Sequence, residues 1–239
     1  MGDPSFQFKR FTVFHNNCVM KVTTDACLFG AWVAKKISGK DWKGKKLLDI
    51  GTGSGLLSLM IAQQNDLSID AVEIDALAAE QALDNFSSSP FQDNLKIIHS
   101  NILDFKYDGY DYIVSNPPFY ETELLSPYLR KNAAYHSQQL SWKELILTIN
   151  QKLKHDGTFF LLLPFKRKKE MEILLEKHQL FINELIEVRH SLKHLPFRCM
   201  ITGSKKTSTL KCNDLSICDD NRQYTPAFIQ LLNDYYLYL

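Results

Sequence analysis

Asn116, Pro117, Pro118 and Phe119 stand together directly after a six-residue β-type run, Tyr110–Ser115. Two successive prolines fix φ twice and offer carbonyls with no N–H of their own. An Asn side-chain oxygen beside a prolyl carbonyl makes a pair of acceptors. Such a pair can hold the two N–H bonds of an exocyclic amine and turn its lone pair toward an electrophile. Positive charge grows on that nitrogen as the new bond forms, and preorganised dipoles stabilise it. Phe119 can stack on the ring that carries the amine, worth about 1–3 kcal/mol per base. The reaction is then an in-line displacement governed by positioning. It needs no strong base, because the alkylated amine is acidic. Pro-Pro alone would equally make a rigid loop that ends a strand, so the turn acquires meaning only from what faces it.

A second turn supplies that context. Leu47–Ile50 reads as a strand, Gly51-Thr52-Gly53-Ser54-Gly55 as a turn, and Leu56 to about Gln64 as a helix. Glycines let backbone approach a ligand, and a helix start offers free N–H groups. Glu73 ends the next strand, twenty-two residues after Gly51, near the ~20 expected of a carboxylate that grips a ribose. A dinucleotide site needs a third glycine where Leu56 stands. Asp49 beside the turn would repel a pyrophosphate and attract a cation. S-adenosylmethionine, with a sulfonium, an α-amino group and no phosphate, suits Asp49 and Glu73 better than a nicotinamide dinucleotide.

The elements that must position these turns alternate strand with helix. Further strands are expected at Ile69–Ile74, Leu95–His99, Thr158–Leu163 (entered through Asp156-Gly157), Glu184–Val188 and Arg198–Thr202. Helices are expected at Ala76–Phe86, from a Ser141/Glu144 capping box to about Lys154, and at Lys166–His178. This order predicts an α/β fold with a mostly parallel sheet covered on both faces. The last two strands lack a crossover helix, which predicts an antiparallel strand at one edge. Ligands in such sheets bind beyond the carboxyl ends of the strands, at the switch point, and both turns lie there. Upstream, Met20–Trp32 reads as a turn and then a helix capped by Thr24 or Asp25. Residues 1–5 receive no structural role.

Asp-x-Gly-x-Gly-x-Gly resembles the cofactor motif of class I methyltransferases, and Asn-Pro-Pro-Phe resembles the amino-methyltransferase signature (Asn/Asp/Ser)-Pro-Pro-(Tyr/Phe/Trp). From about residue 6 to the end, the chain resembles the bacterial tRNA1(Val) (adenine(37)-N6)-methyltransferase family. The carrying residues are Met20-Lys21-Val22-x-Thr24-Asp25 with Gly30-Ala31-Trp32, Leu48–Leu57, Ile69–Glu73, Ser115–Phe119, and Tyr224-Thr225-x-x-Phe228 with Tyr235-Tyr236-Leu237. The resemblance implies a single Rossmann-like class I methyltransferase domain over residues 1–239, with a seven-stranded sheet. Residues 6–40 would form an extension that helps line the pocket. It implies S-adenosylmethionine as donor and N6 methylation of an adenine in a tRNA anticodon loop. Asn116, Pro117 and Phe119 would be catalytic. Lys21, Thr24, Asp49, Gly51, Gly53, Gly55, Glu73, Asn101 and Asn116 would hold the donor. Pro118, Phe119, Arg130, Lys166 and Arg167 would meet the substrate. Two positions depart from the usual pattern. Asn101, with Asp104 as the alternative, stands where an acidic residue often reads the donor's adenine, and Phe119 replaces a common Tyr. Rival amine substrates are a guanine N2 of rRNA or a protein glutamine.

Composition bounds the rest. The chain has 239 residues, 45% hydrophobic and 23% charged, with a net charge of +1, which excludes disordered and fibrous classes. An RNA partner must therefore be met by a local patch. Residues 165–206 hold ten Lys+Arg against five Asp+Glu. That surplus suits phosphate contact, although a charge run is equally a solvated helix face. Unpaired loops cost less to splay out than duplex bases. Five cysteines without a Cys-x-x-Cys pair fit reduced thiols and no metal site. No apolar run is long enough to span a bilayer. A cytoplasmic monomer without metal or membrane is expected.

Overall fold

The computed structural model describes residues 4–18, 20–39, 41–117 and 140–239. Pro118, Phe119 and Arg130 lie outside the described residues. A hairpin, β1 (Ser5–Gln7) and β2 (Thr12–Phe14), opens the chain, followed by α1 (Thr24–Ile37). Then come β3 (Lys46–Ile50), α2 (Leu56–Ala62), β4 (Ser68–Glu73), α3 (Ala76–Ser87), β5 (Leu95–His99) and β6 (Tyr110–Ser115). Beyond residue 139 follow α4 (Trp142–Lys152), β7 (Leu153–Pro164), α5 (Lys168–Lys177), β8 (Phe181–Arg189), β9 (Arg198–Ser204), β10 (Lys211–Ser216) and α6 (Pro226–Leu232).

Among the described residues the main sheet has eight strands in the order β10-β8-β9-β7-β6-β3-β4-β5. β9 alone runs against its neighbours β7 and β8. Seven strands were expected; β10 adds an eighth, parallel to β8, so the antiparallel strand sits two places in from the rim. The chain leaves β3 toward β4 on one side and β6 toward β7 on the other. The switch point therefore falls between β3 and β6.

Alternation along each strand sorts its side chains into two cores. Leu47, Tyr112, Val114, Phe160 and Leu162 pack with α1, α2 and α6, joined by Phe86 of α3. Leu48, Ile50, Ile113, Phe159 and Leu161 pack with Leu145, Ile146 and Ile149 of α4 and Met171 and Leu175 of α5. All six residues of β6 are buried, as expected of a central parallel strand. At the amino end of β6, the Asp111 carboxylate accepts from Lys45 Nζ at 3.0 Å, Lys46 N at 3.0 Å and Lys154 Nζ at 2.9 Å. Burial alone would raise the Asp111 pKa, but these donors hold it below the usual carboxylate range. At the carboxyl end Ser115 Oγ donates to Ile50 O at 2.8 Å. The central pair is thus pinned at both ends.

Several local expectations are corrected. The capping box at Ser141 is present, but the cap of α1 is Thr23, whose side chain accepts from Ala26 N. Asp25 is instead paired with Arg198, Nε to Oδ2 at 2.7 Å. β7 starts straight from α4, so Asp156-Gly157 lies inside a strand. A Cβ on Gly157 would come within 2.6 Å of Leu153 and 3.1 Å of the Asp111 carbonyl, so the glycine serves close approach rather than a turn. The helix expected from Lys166 begins with a 3-10 turn, Phe165–Arg167. Strand structure begins at Ser5, inside the stretch left without a role.

The two ends of the chain are clasped together. Phe8 bridges to Tyr236, Lys9 N donates to Tyr235 O at 2.8 Å, and Tyr235 Oη donates to Met60 O of α2 at 3.0 Å.

Candidate active site

Ile50 and Ser115 are register partners in β3 and β6. The next residues, Gly51 and Asn116, therefore leave adjacent parallel strands side by side at the same end. Sequence reasoning requires this juxtaposition, and the fold supplies it.

Gly51, Gly53 and Gly55 all take positive φ, at 70°, 56° and 82°. Gly55 is the most constrained. A Cβ there would lie 2.4 Å from the Phe86 ring, itself fully buried. Gly55→Ala combines a left-handed backbone with overpacking and should cost about 2–4 kcal/mol, read as a lowered melting temperature.

Four of the turn's amides are spent internally. Gly51 N and Thr52 N donate to Val72 O at 2.9 and 3.2 Å, and Gly55 N donates to Thr52 O at 3.0 Å. Gly53 N donates to Glu73 Oε2 at 2.8 Å. Glu73 Oε1 accepts from Ile74 N and Asp75 N at 2.9 and 3.0 Å. A pyrophosphate cradle needs such amides free and an electropositive floor; here the amides of Gly51, Thr52, Gly53 and Gly55 are taken and two carboxylates line the turn, which disfavours a dinucleotide phosphate. Glu73 Oε2, which accepts one bond, keeps acceptor capacity for a hydroxyl donor, while Oε1 already accepts two.

Asp49 is 0% exposed. Its Oδ2 accepts from Thr52 Oγ1 at 2.7 Å and Ser58 Oγ at 2.8 Å, which shapes the loop from beneath. Its Oδ1 is buried with no hydrogen-bond partner among the described residues. Burial pushes the carboxyl up to about 6, against the Thr52 and Ser58 bonds and with the Glu73 charge adding to the rise. Asn116 Oδ1 is also buried and unpartnered among the described residues, and Pro117 beside it is buried. Two orphaned acceptors at one strand end, one of them acidic, fit a cation and a neutral amine. They fit S-adenosylmethionine and an amino substrate.

The remaining expected residues divide. Asn101 Oδ1 accepts from Leu103 N at 3.0 Å, and Asp104 N donates to Asn101 O at 3.0 Å. Asn101 thus builds its own turn after β5, while Asp104 is exposed. Thr24 stands at the start of α1, bonded to the Tyr236 hydroxyl, and Lys21 is exposed just before it. Lys166 and Arg167 lie past the carboxyl end of β7, the same end as Asn116. Arg167 Nη1 pairs with Glu170 at 2.7 Å, an exposed contact that exchanges easily.

Sequence reasoning missed Asn85. It is 1% exposed, accepts from Phe14 N at 3.0 Å, and donates Nδ2 to Phe14 O and to Ser54 O, both at 2.8 Å. One side chain thereby couples the entry hairpin to the glycine loop. A buried Asn on an apolar helix face was the available signal. Asn85→Asp keeps one acceptor, loses both donors and sets a carboxylate against two carbonyls. It should cost about 2–4 kcal/mol and weaken donor binding at least about tenfold, measured by thermal melts and calorimetry.

Comparison with known proteins agrees with this geometry. The family described as "Methyltransferase small domain" matches residues 32–187. A protein of Dyadobacter fermentans named tRNA1(Val) (adenine(37)-N6)-methyltransferase is 47% identical over 161 residues, 66% of this chain and 65% of that protein. A protein of the same name from Bacteroides thetaiotaomicron is 34% identical over 242 residues, 100% of both chains. The chain belongs to the tRNA1(Val) (adenine(37)-N6)-methyltransferase family. The fold of this family member is shared with a predicted O-methyltransferase of Agrobacterium tumefaciens, at a TM-score of 0.66 and 15% identity over 88% of this chain and 96% of that one. The expected class I methyltransferase fold is therefore the observed one. Among its described residues, no cluster of three or more His, Cys, Asp or Glu side chains could hold a metal, and no helix is long and apolar enough to cross a membrane.

Proposed function

We propose that the chain transfers a methyl group from S-adenosylmethionine to the exocyclic N6 of adenine 37 in the anticodon loop of a tRNA, the substrate named for its relatives. The observation that carries this reading is the orphaned Asn116 Oδ1 beside a glycine loop whose glycine amides are already spent. When bound, S-adenosylmethionine supplies a methyl made electrophilic by its sulfonium. Asp49 Oδ1 would accept from the donor's cationic part, and Glu73 Oε2 from a ribose hydroxyl. Asn116 Oδ1 and the Pro117 carbonyl accept the two N6–H bonds and direct the nitrogen lone pair toward the methyl. They also stabilise the positive charge that grows on nitrogen. The methylated amine then loses a proton to solvent. Phe119 stacks on the adenine and Arg130 meets RNA, both assigned on sequence alone. We read the protein as a single-domain, cytoplasmic monomer.

Nucleoside mass spectrometry of tRNA from a deletion strain tests the assignment. N6-methyladenosine should vanish from one tRNA and return on complementation. Label from the methyl donor entering rRNA or a protein glutamine, and not tRNA, would overturn it.

A further inference from the structure

The loop 190–197 joins β8 to β9 and takes no part in the chemistry above. Because β8 runs parallel to β7 and β9 runs back, the loop sits at the same end of the sheet as Asn116. It is a built loop. Phe197 N donates to Val188 O at 2.9 Å, and Phe165 N donates to Phe197 O at 3.0 Å. Ser191 is buried and its Oγ bonds His194 Nδ1 at 2.9 Å. Yet this fixed loop holds Leu192 72% and Leu195 86% exposed. Beside them the His190 ring lies flat on Phe197, centroids 4.1 Å apart and planes 5° from parallel, with the Arg198 guanidinium 5.4 Å from the same ring. Arg198 in turn bonds Asp25, which joins the loop to the start of α1.

We infer that loop 190–197 is the platform on which the single-stranded loop of the substrate RNA rests. The inference depends on the tRNA reading above. Unpaired bases present flat apolar faces, which stack on rings and spread over aliphatic side chains. Phosphates need cations close by, and residues 165–206 carry the chain's local basic surplus. Among the described residues Lys193 is held by an exposed contact with Asp220 at 3.4 Å, which a phosphate can displace. A fixed apolar tip flanked by cations, at the reacting end of the sheet, matches a splayed RNA loop better than a nonpolar protein face.

The test is the variant carrying Leu192→Ser, Leu195→Ser and His190→Ala, all at exposed positions outside the donor pocket. Steady-state kinetics on unmodified tRNA, donor calorimetry and a thermal melt are measured together. KM for tRNA should rise at least about fivefold, with kcat, donor affinity and melting temperature near those of the parent. An unchanged KM in an enzyme whose parent methylates tRNA would overturn this inference and leave the function standing. An unchanged KM with loss of a dimer in sedimentation would overturn it by assigning the loop to a second copy of the chain. A parent that methylates no tRNA would overturn both.

Discussion

Asn116→Ala should lower methyl transfer by at least about 10²-fold while donor binding stays within about twofold of the parent. The side-chain oxygen is buried and bonded to nothing among the described residues, so its removal unfolds no network. Leaving such an acceptor unpaired costs roughly 1–3 kcal/mol in the unliganded protein, so the variant should melt no lower than the parent. The split is the diagnostic. A group that merely supported the turn would lose stability and activity together. Single-turnover assays with excess enzyme, set beside donor calorimetry, measure it, and an unchanged rate would remove the mechanism. Asn116→Asp is a useful companion, because it keeps an acceptor and adds charge.

Asp49→Asn should weaken S-adenosylmethionine binding at least about 10²-fold at pH 8, because it removes one partner of a buried charge pair. The parent protein should show a matching pH dependence. Its carboxyl titrates at about 6, and a cationic ligand favours the ionised form. Donor affinity should therefore fall as pH drops through about 6, approaching about tenfold per unit below it, and the Asn variant should lack that limb. The sign for stability is opposite. A carboxyl whose folded pKa lies above its unfolded value of about 3.9 opposes folding when charged. The penalty is fully present above pH 6 and fades as pH falls toward the unfolded value. Asp49→Asn should accordingly melt no lower than the parent at pH 8. A variant that binds the donor as tightly as the parent would make Asp49 a purely structural brace for Thr52 and Ser58.

Part of the fold is set by local physics. The glycine turn and the Pro-Pro turn carry their own backbone instructions, and the strands between them announce themselves as apolar runs. Two turns after neighbouring parallel strands must then meet, and Ile50 and Ser115 do pair. What escaped was set by long-range contacts. Strands of three residues, such as Ser5–Gln7 and Thr12–Phe14, are too short to show a period. Asn85 reads as one more polar helix residue until Phe14 and Ser54 are brought to it. Thr23 rather than Thr24 caps α1 because extended backbone at Thr23 aims its hydroxyl at Ala26 N, a one-residue choice that composition cannot make. Glu73 was anticipated as a ribose ligand, but its hold on the glycine loop depends on where β4 ends. The edge strand β10 has exposed residues over most of its length and lacks the apolar signature of its parallel neighbours.

The clasp between Phe8 and Tyr236 has a consequence for the newborn protein. The hairpin that Asn85 ties to the glycine loop is synthesised before its partners at 235 and 236, which follow more than two hundred residues later. At about 5–20 residues per second, synthesis inserts a delay on the order of 10–45 s before that clasp can close. Until those partners arrive, the hairpin that Asn85 holds against the glycine loop lacks its contacts with residues 235 and 236.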